Sequence, residues 1–191
     1  MSLPWEFHPV EGARIRLDVL REDDLDALHA IQSDPEVCRY LLYEPRTREE
    51  VARRIAEDSR ALRLEKNDDY AQPAIRGADG TLLGTMYFHL TSVDDLTAEV
   101  GWLLGREHQG RGYAREAAEL VLAQAFDEVG LHRVYAELDP RNAASVALCL
   151  RLGMRHEAHF VEHMRFKGEW ADTGIYAILD HEWRARHRTR R

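Results

Sequence analysis

A short segment rich in small residues is the part of this sequence where residue types and spacing indicate chemistry most clearly. It runs from Gln109 to Ala114 and consists of Gln-Gly-Arg-Gly-Tyr-Ala. Small residues at Gly110, Gly112 and Ala114 let the backbone approach a ligand closely. An amphipathic helix is predicted to begin at Tyr113, and the free N–H groups and dipole of its first turn favour an anion. The segment therefore predicts a phosphate-binding loop.

Arginines around this loop add positive charge, and they also decide between phosphate-binding motifs. Arg106, Arg111 and Arg115 all lie close to the predicted start of the helix. A Walker A loop needs Lys and then Ser or Thr after Gly110, but Arg111 and Gly112 stand there, so the magnesium ligand is missing. A dinucleotide fingerprint needs a small residue where Arg115 stands. A surface connection without a ligand remains the alternative.

The elements that must position this loop follow from hydrophobic periodicity and turn signals. Strands are predicted at Ala13–Leu20, Tyr70–Arg76, Thr81–Leu90, Thr97–Leu104 and His132–Leu138, and two more lie between Arg155 and Leu179 around a turn at Lys167 and Gly168. Helices are predicted at Glu22–Ile31, from Pro35, from Thr47 to about Lys66, at Tyr113–Glu128 and at Ala143–Arg151, which ends near Gly153. This order predicts a mixed, mostly antiparallel sheet with helices on both faces.

A histidine cluster and two cysteines are further candidates for metal binding or redox chemistry. His156, His159 and His163 fall in a predicted strand, where residues an odd number apart point to opposite faces. Only His159 and His163 would then share a side, and no second ligand pair is evident, so no metal is predicted. Cys38 and Cys149 form no CxxC pair, which favours a reducing compartment.

Composition limits the classes of function. The 191 residues predict one domain spanning 1–191, and the formal charge of −8 excludes a general nucleic-acid binder but suits a cationic amine. The sequence shows neither a signal peptide nor an apolar run long enough for a membrane span, so a cytoplasmic protein is expected. Residues 184–191 are strongly basic against this background and are interpreted as a frayed, solvated tail.

Several segments together resemble the GNAT N-acetyltransferase superfamily. Gln109, Gly112 and Ala114 fit its pyrophosphate loop, Gln/Arg-x-x-Gly-x-Gly/Ala, with Gln where Arg is common and Ala where Gly is common. Residues 98–104 look like its fourth strand, and residues 139–154 look like its second coenzyme segment. The chain end, through Trp183, is similar to the branch of RimJ/RimL-like ribosomal-protein N-acetyltransferases. The resemblance implies a GNAT fold with six to seven strands, splayed between strands 4 and 5.

The resemblance also implies a binding site for acetyl-CoA as co-substrate. Its pantetheine arm would lie along the backbone of Trp102, Leu103 and Leu104, where an N–H, best that of Leu103, could hold the thioester oxygen. The implied coenzyme-binding residues continue with Gln109, Gly110, Arg111, Gly112, Tyr113, Ala114, Arg115, Asn142 and Ser145. Ser145 could donate a hydrogen bond to the departing thiolate, although helix capping explains both Asn142 and Ser145 nearly as well.

An alkyl amine is mostly protonated at neutral pH, so amine acetylation benefits from a base. Glu99, on the fourth strand, is the candidate, acting directly or through a water; Glu137 is a second choice, and a solvent-facing strand carboxylate is the alternative. The expected enzyme moves acetyl to a primary amine by direct attack, with a protein N-terminus ahead of a small molecule such as an antibiotic or polyamine. A non-catalytic acyl-CoA-binding module remains the alternative function from another class. Whether the chain forms a homodimer stays open.

Overall fold

The computed structural model describes residues 3–188 of the chain. Its strands are β1 (Trp5–Glu6), β2 (Val10–Glu11), β3 (Ile15–Asp18), β4 (Arg63–Leu64), β5 (Tyr70–Ala71), β6 (Ala74–Gly77), β7 (Leu82–Ser92), β8 (Thr97–Leu104), β9 (Arg133–Leu138), β10 (Arg155–Phe166) and β11 (Glu169–Leu179). Its α-helices are α1 (Leu25–Gln32), α2 (Pro35–Cys38), α3 (Arg48–Asp58), α4 (Tyr113–Ala123), α5 (Ala143–Leu152) and α6 (Asp180–Arg188).

Nine of the strands form one mixed sheet, in the order β10-β11-β9-β8-β7-β6-β3-β2, with β5 beside β7. Every pair in it is antiparallel except β8 with β9. β2 and β5 have two residues each, so seven longer strands form the body of the sheet. This agrees with the predicted six to seven strands and confirms the predicted mixed, mostly antiparallel architecture. The short strands β1 and β4 pair separately.

Helices cover both faces of the sheet, as predicted. Neighbouring residues of a strand point to opposite faces, and Leu82 and Leu83 of β7 belong to two different apolar clusters. The larger cluster joins the sheet to α4 and α5 and includes Val121 and Cys149. The smaller cluster joins it to α1 and α3 through residues such as Leu28. The two faces are therefore packed by helices from different parts of the chain.

The predicted helix from Thr47 begins correctly but is shorter than expected. Thr47 and Glu50 form the predicted capping box, in which each side chain accepts from the other residue's backbone N–H. The prediction that the helix continues to about Lys66 was wrong, because α3 ends at Asp58. Leu64 lies instead in β4 and is fully buried in the larger cluster. Tertiary packing therefore outweighs the helical pattern of residues 59–66.

Two other boundaries also differ from prediction. The strand expected from Tyr70 to Arg76 is split into β5 and β6 around Pro73, which has no N–H to donate to a ladder. The helix after the loop is α-helical only to Ala123 and continues as a π-helix from Gln124 to Val129.

The basic segment at the chain end is partly structured. Arg184 lies in α6, after the buried Trp183, and its guanidinium donates to the Phe126 carbonyl oxygen at 3.5 Å. Residues 184–188 thus continue α6, the interpretation of 184–191 as a frayed, solvated tail stays a prediction, and 189–191 lie outside the described residues. None of the helices within 3–188 has the length and apolar character that crossing a membrane requires.

Candidate active site

The central feature of the sheet is a parallel pair of strands that separates part of the way along. β8 and β9 are paired only where Thr97 to Glu99 face Arg133 to Tyr135. Beyond Glu99, β8 continues to Leu104 while bonded only to β7 on its other side. One edge of β8 therefore has backbone groups without a strand partner, which is the geometry that accepts an extended ligand as an additional strand.

A cleft of about 400 Å³ opens at this separation. Its floor comes from β7, β8 and β9, one wall comes from α1 to α3 with their loops, and the other wall comes from the start of α5. The predicted site residues Glu99, Trp102, Leu103, Asn142 and Ser145 all line it. Leu104 does not; its side chain is in the larger apolar cluster, and its carbonyl oxygen accepts from the Gln109 amide at 3.0 Å.

The Gly-rich loop leads from the end of β8 into the open N-terminus of α4. Gly110 and Gly112 have φ values of 72° and 83°, in the left-handed region that favours glycine. Gly112 is the N-cap residue, and no side chain of the described chain caps the helix there. The N–H groups of Tyr113, Ala114 and Arg115 are in the first helical turn, where no intrahelical acceptor exists. This end of α4 therefore has the geometry of an anion site, and its role in binding the pyrophosphate stays a prediction.

The three arginines near the loop differ in their surroundings. Arg115 is paired with Glu119 one helical turn on, at 3.1 Å, and Arg106 lies 3.8 Å from Asp34. Arg111 is exposed, and within residues 3–188 no carboxylate lies within 4 Å of its guanidinium. Arg111 is thus the side chain of the three that can most readily meet a phosphate.

A pair of residues that the sequence did not indicate fixes the loop in place. The Glu116 carboxylate accepts from the backbone N–H of Arg14 at 2.7 Å and from its side-chain Nε at 2.9 Å. The same guanidinium donates through Nη1 to the Arg111 carbonyl oxygen at 2.9 Å and lies over the Tyr113 ring. About a hundred residues separate the two partners in sequence, so no local pattern could have revealed their contact.

The start of α5 supports the second predicted coenzyme segment. Asn142 is the N-cap residue, and its side-chain oxygen accepts from the Ser145 N–H at 3.2 Å. The Ser145 hydroxyl has a different partner, because its oxygen accepts from the Trp102 indole N–H at 3.2 Å. An indole can only donate, so the Ser145 hydroxyl hydrogen remains available to a ligand in the cleft.

Glu99 lies on the floor of the cleft with about a quarter of its side chain exposed. Burial raises its pKa above the usual range, and the nearby Glu137 carboxylate raises it further. His89, its neighbour on β7, opposes this rise because its Nδ1 lies 3.7 Å from Glu99 Oε2. A carboxylate whose pKa is moved towards neutrality is better matched to accept a proton from an amine.

Aromatic side chains around Glu99 form a part of the site that sequence reasoning missed. Tyr87 lines the cleft, and burial, followed by the Glu99 charge, raises its pKa to about 12. Tyr135 faces Glu99 in the parallel ladder, and its pKa is also raised, mainly by burial. Both phenols are therefore neutral donors at pH 7. Period-2 alternation of polar and apolar residues on β7 and β9 was the only available signal for them.

The three histidines of the β10 strand are bound to the neighbouring strand. His159 contacts Asp172 at 2.7 Å, His163 contacts Thr173 at 2.9 Å, and the His156 ring lies 4.9 Å from that of Tyr176. The rings of His156 and His159 are 6.5 Å apart, so the prediction that they face opposite sides was wrong. A register shift between His156 and Ala158 breaks the alternation. Among the described residues no group of three potential metal ligands occurs.

A splayed parallel pair beside an uncapped helix N-terminus defines an acyltransferase that binds a pantetheine-linked acyl donor. Residues 14–155 match the family described as "Acetyltransferase (GNAT) domain". The chain belongs to this family, as the motifs predicted, and acetyl-CoA is its co-substrate. The enzyme is an acetyltransferase that uses the activated acetyl thioester, and the backbone groups described above fit that ligand. The RimJ/RimL-like branch stays a prediction.

Relatives and solved structures agree with this assignment. The chain is 32% identical to the "Uncharacterized N-acetyltransferase YnaD" of Bacillus subtilis, over 84% of this chain and 90% of that protein. It is 23% identical to the "Spermidine N(1)-acetyltransferase" of Escherichia coli, over 92% and 91% of the two chains. A crystal structure of a GNAT-family acetyltransferase from Bacillus anthracis superposes with a TM-score of 0.81 and 27% identity, covering 91% of this chain and 99% of that one.

Proposed function

We propose that the acceptor is the N-terminal amine of a peptide or protein. The distribution of charge in the cleft carries this proposal. Two carboxylates, Glu99 and Glu137, lie on its floor, whereas its α1–α3 wall is formed mainly by aromatic and apolar side chains together with Arg46 and Arg54. Such a site suits a molecule with a single amine at the end of its chain.

The surroundings of the cleft offer room for the rest of a peptide. A second, smaller recess of about 60 Å³ shares Tyr40, Leu42 and Glu137 with the main cleft and is also lined by Met164 and Phe166. Leu42 is 72% exposed and contributes apolar surface to both the cleft and the recess. We place the first side chain of the acceptor in this recess, next to its amine.

The proposed reaction uses the chain's own groups in sequence. Glu99 takes the proton from the ammonium, directly or through a water, and the free amine attacks the thioester carbon. In the register of β7 with β8 the Leu103 N–H faces Thr85, because the Gly105 N–H donates to the Leu83 carbonyl oxygen one hydrogen-bonded pair further along. The N–H of Trp102, on the open edge of β8, rather than that of Leu103, therefore holds the oxygen on which negative charge develops. As the C–S bond breaks, the Ser145 hydroxyl, oriented by Trp102, donates a hydrogen bond to the departing sulfur. Positioning of both substrates in one cleft supplies much of the remaining acceleration.

A polyamine acceptor is the second candidate, and the spermidine-acetylating relative favours it. The negative formal charge of the chain also attracts polycations. A polyamine places further ammonium groups a few carbons from the reacting one, however, and Arg46 on the same cleft, which forms no ion pair within residues 3–188, would repel them. The charges within the cleft therefore favour a peptide.

An acceptor panel tests the proposal. We would measure release of free CoA thiol with acetyl-CoA and a set of short peptides with different N-terminal residues, alongside spermidine and spermine. The proposal expects at least one peptide to exceed both polyamines in kcat/KM, with mass spectrometry locating acetyl on the α-amine. Higher kcat/KM for a polyamine than for every peptide would overturn it.

A further inference from the structure

One arginine on the acceptor side of the cleft is held rigidly without a negative partner. Arg46 precedes α3, and its backbone N–H donates to the Gln32 carbonyl oxygen at 3.0 Å. Its side-chain Nη1 also donates to the Gln32 amide oxygen at 3.0 Å, and Gln32 is itself only 1% exposed. The guanidinium lies over the Tyr43 ring, with its central carbon 3.7 Å from the ring centroid. Three contacts therefore fix the direction of this cation.

The Asp58 carboxylate interacts with Arg46 only over a longer distance than an ion pair. Within residues 3–188 no carboxylate comes within 4 Å of its guanidinium, and only one of its N–H donors has a protein acceptor. Arg54, which lines the same cleft, differs: it lies 3.2 Å from Glu57 and 3.5 Å from Asp58. A half-buried, stacked arginine with unused donors beside a ligand cleft is well suited to bind a carboxylate through two parallel hydrogen bonds.

We infer that Arg46 binds a carboxylate carried by the acceptor, so that the favoured substrate has an acidic group a short distance from its reacting amine. This inference rests on the proposed function and narrows its substrate class. Glu99 receives the amine at one point of the cleft, and Arg46 receives the carboxylate at another. For a peptide, the acidic group is an Asp or Glu side chain close to the N-terminus.

Matched peptides test the inference with the full-length enzyme. One pair differs only by Asp or Asn at the second position, and another pair differs in the same way at the third. Wild-type enzyme is expected to favour Asp over Asn by about tenfold or more in kcat/KM at one of these positions, since charge-assisted hydrogen bonds are about twice as strong as neutral ones. Lysine and cadaverine, which differ only by a carboxylate, provide the same comparison for small amines.

Variants assign the preference to this guanidinium. Arg46→Gln should abolish the preference for Asp, so that kcat/KM for the Asp peptide falls to about that for the Asn peptide, while Arg46→Lys retains part of the preference. Tyr43→Leu removes the stacking surface and should weaken the preference without abolishing it. Arg53→Gln, on the exposed side of α3, is the matched control and should change neither value. Thermal unfolding of each variant checks that the fold is retained.

The outcomes separate the inference from the proposed function. Peptide acetylation without any preference for Asp at either position would overturn the inference and leave the peptide acceptor standing. If no peptide is acetylated, the peptide acceptor is overturned. If the enzyme then acetylates lysine in preference to cadaverine and Arg46→Gln loses this preference, the inference is supported. A rise in the KM of acetyl-CoA in Arg46→Gln, with no change for the acceptor, would assign this cation to the coenzyme and refute the inference.

Discussion

The two sides of the cleft are built in different ways. The side that we assign to the coenzyme consists of the end of β8, the loop to Arg115 and the start of α5, and it offers mainly backbone N–H groups. The acceptor side consists of α1 to α3 with the facing parts of β7, β8 and β9, and it offers side chains such as Glu99, Tyr87 and Arg46. Backbone groups do not depend on residue type, whereas side chains change with every substitution. The donor is thus specified by conformation and the acceptor by residue identity.

The two sides are also anchored differently. The coenzyme loop is held by Arg14 and Glu116, which are partly exposed. The acceptor side is tied to the sheet by Arg76 of β6, whose guanidinium donates to both oxygens of Asp24 at 2.7 and 2.8 Å, just before α1. Arg76 also lies 3.3 Å from Asp18, and all three side chains are less than 10% exposed.

The largest effect is expected from breaking this buried ion network. Arg76→Met leaves the buried Asp24 without its cation and removes one of the three arginines around the buried Asp18, and breaking a buried pair in this way typically costs about 3–5 kcal/mol in the free energy of unfolding. Urea unfolding measures the loss. Arg16→Met, a partly exposed partner of the same Asp18, is the control and should cost no more than about 1 kcal/mol. Equal losses in the two variants would show that burial does not decide the stability of this anchor.

A second substitution addresses the coenzyme side alone. Gly112→Ala forces a side chain at a φ of 83°, with its Cβ 3.2 Å from Arg14 Nη2, at roughly 1–2 kcal/mol. Acetyl-CoA binding should weaken about tenfold by calorimetry, while kcat/KM ratios among acceptors stay constant. Gly80→Ala is the control, because Gly80 has a similar φ of 85° and its new Cβ would meet no atom within 4 Å. It introduces the same backbone strain and should leave acetyl-CoA binding unchanged. Unchanged acetyl-CoA affinity in Gly112→Ala would remove this residue from the coenzyme site.

The leaving-group contact is expected to have a smaller effect. Ser145→Ala removes the hydroxyl and should lower kcat about tenfold, comparable to the loss of one hydrogen bond to a charged group. The cap at Asn142 survives because it uses the Ser145 backbone N–H. Trp102→Phe removes the donor that orients the hydroxyl and keeps an aromatic, though smaller, ring in the cleft, so a fall of about threefold is expected. A wild-type kcat in Ser145→Ala would limit that residue to the structure of α5.

The smallest effects are shifts of the pH dependence in opposite directions. Glu99 must be ionised to accept a proton, so kcat/KM rises with pH through its pKa. Glu137→Gln removes a like charge, lowers the pKa of Glu99 and moves this limb to lower pH. His89→Phe removes an attraction, raises the pKa of Glu99 and moves the limb to higher pH. The amine titrates identically in all three enzymes, so shifts in the same direction would contradict Glu99 as the base.

The sequence predicted the coenzyme side far better than the acceptor side, for a physical reason. The Gly-rich loop with Gly110 and Gly112 and the helix cap at Asn142 depend on residues within a few positions of one another, and short-range patterns reveal such features. The contacts of Arg14 with Glu116 and of Trp102 with Ser145 join distant segments, which no pattern in one sequence indicates. The register shift between His156 and Ala158 is equally invisible in the sequence, and it brings His156 and His159 to the same side of β10.

The central claim is that Glu99 serves the acceptor and takes no part in holding the coenzyme. The most direct test is to measure turnover and acetyl-CoA affinity together in Glu99→Gln, which keeps the shape of the side chain. We expect kcat to fall by about 10² to 10⁴ while the Kd of acetyl-CoA, measured by calorimetry, stays within about twofold of wild type. An unchanged kcat, or a loss of activity that follows weaker acetyl-CoA binding, would contradict this division of the cleft.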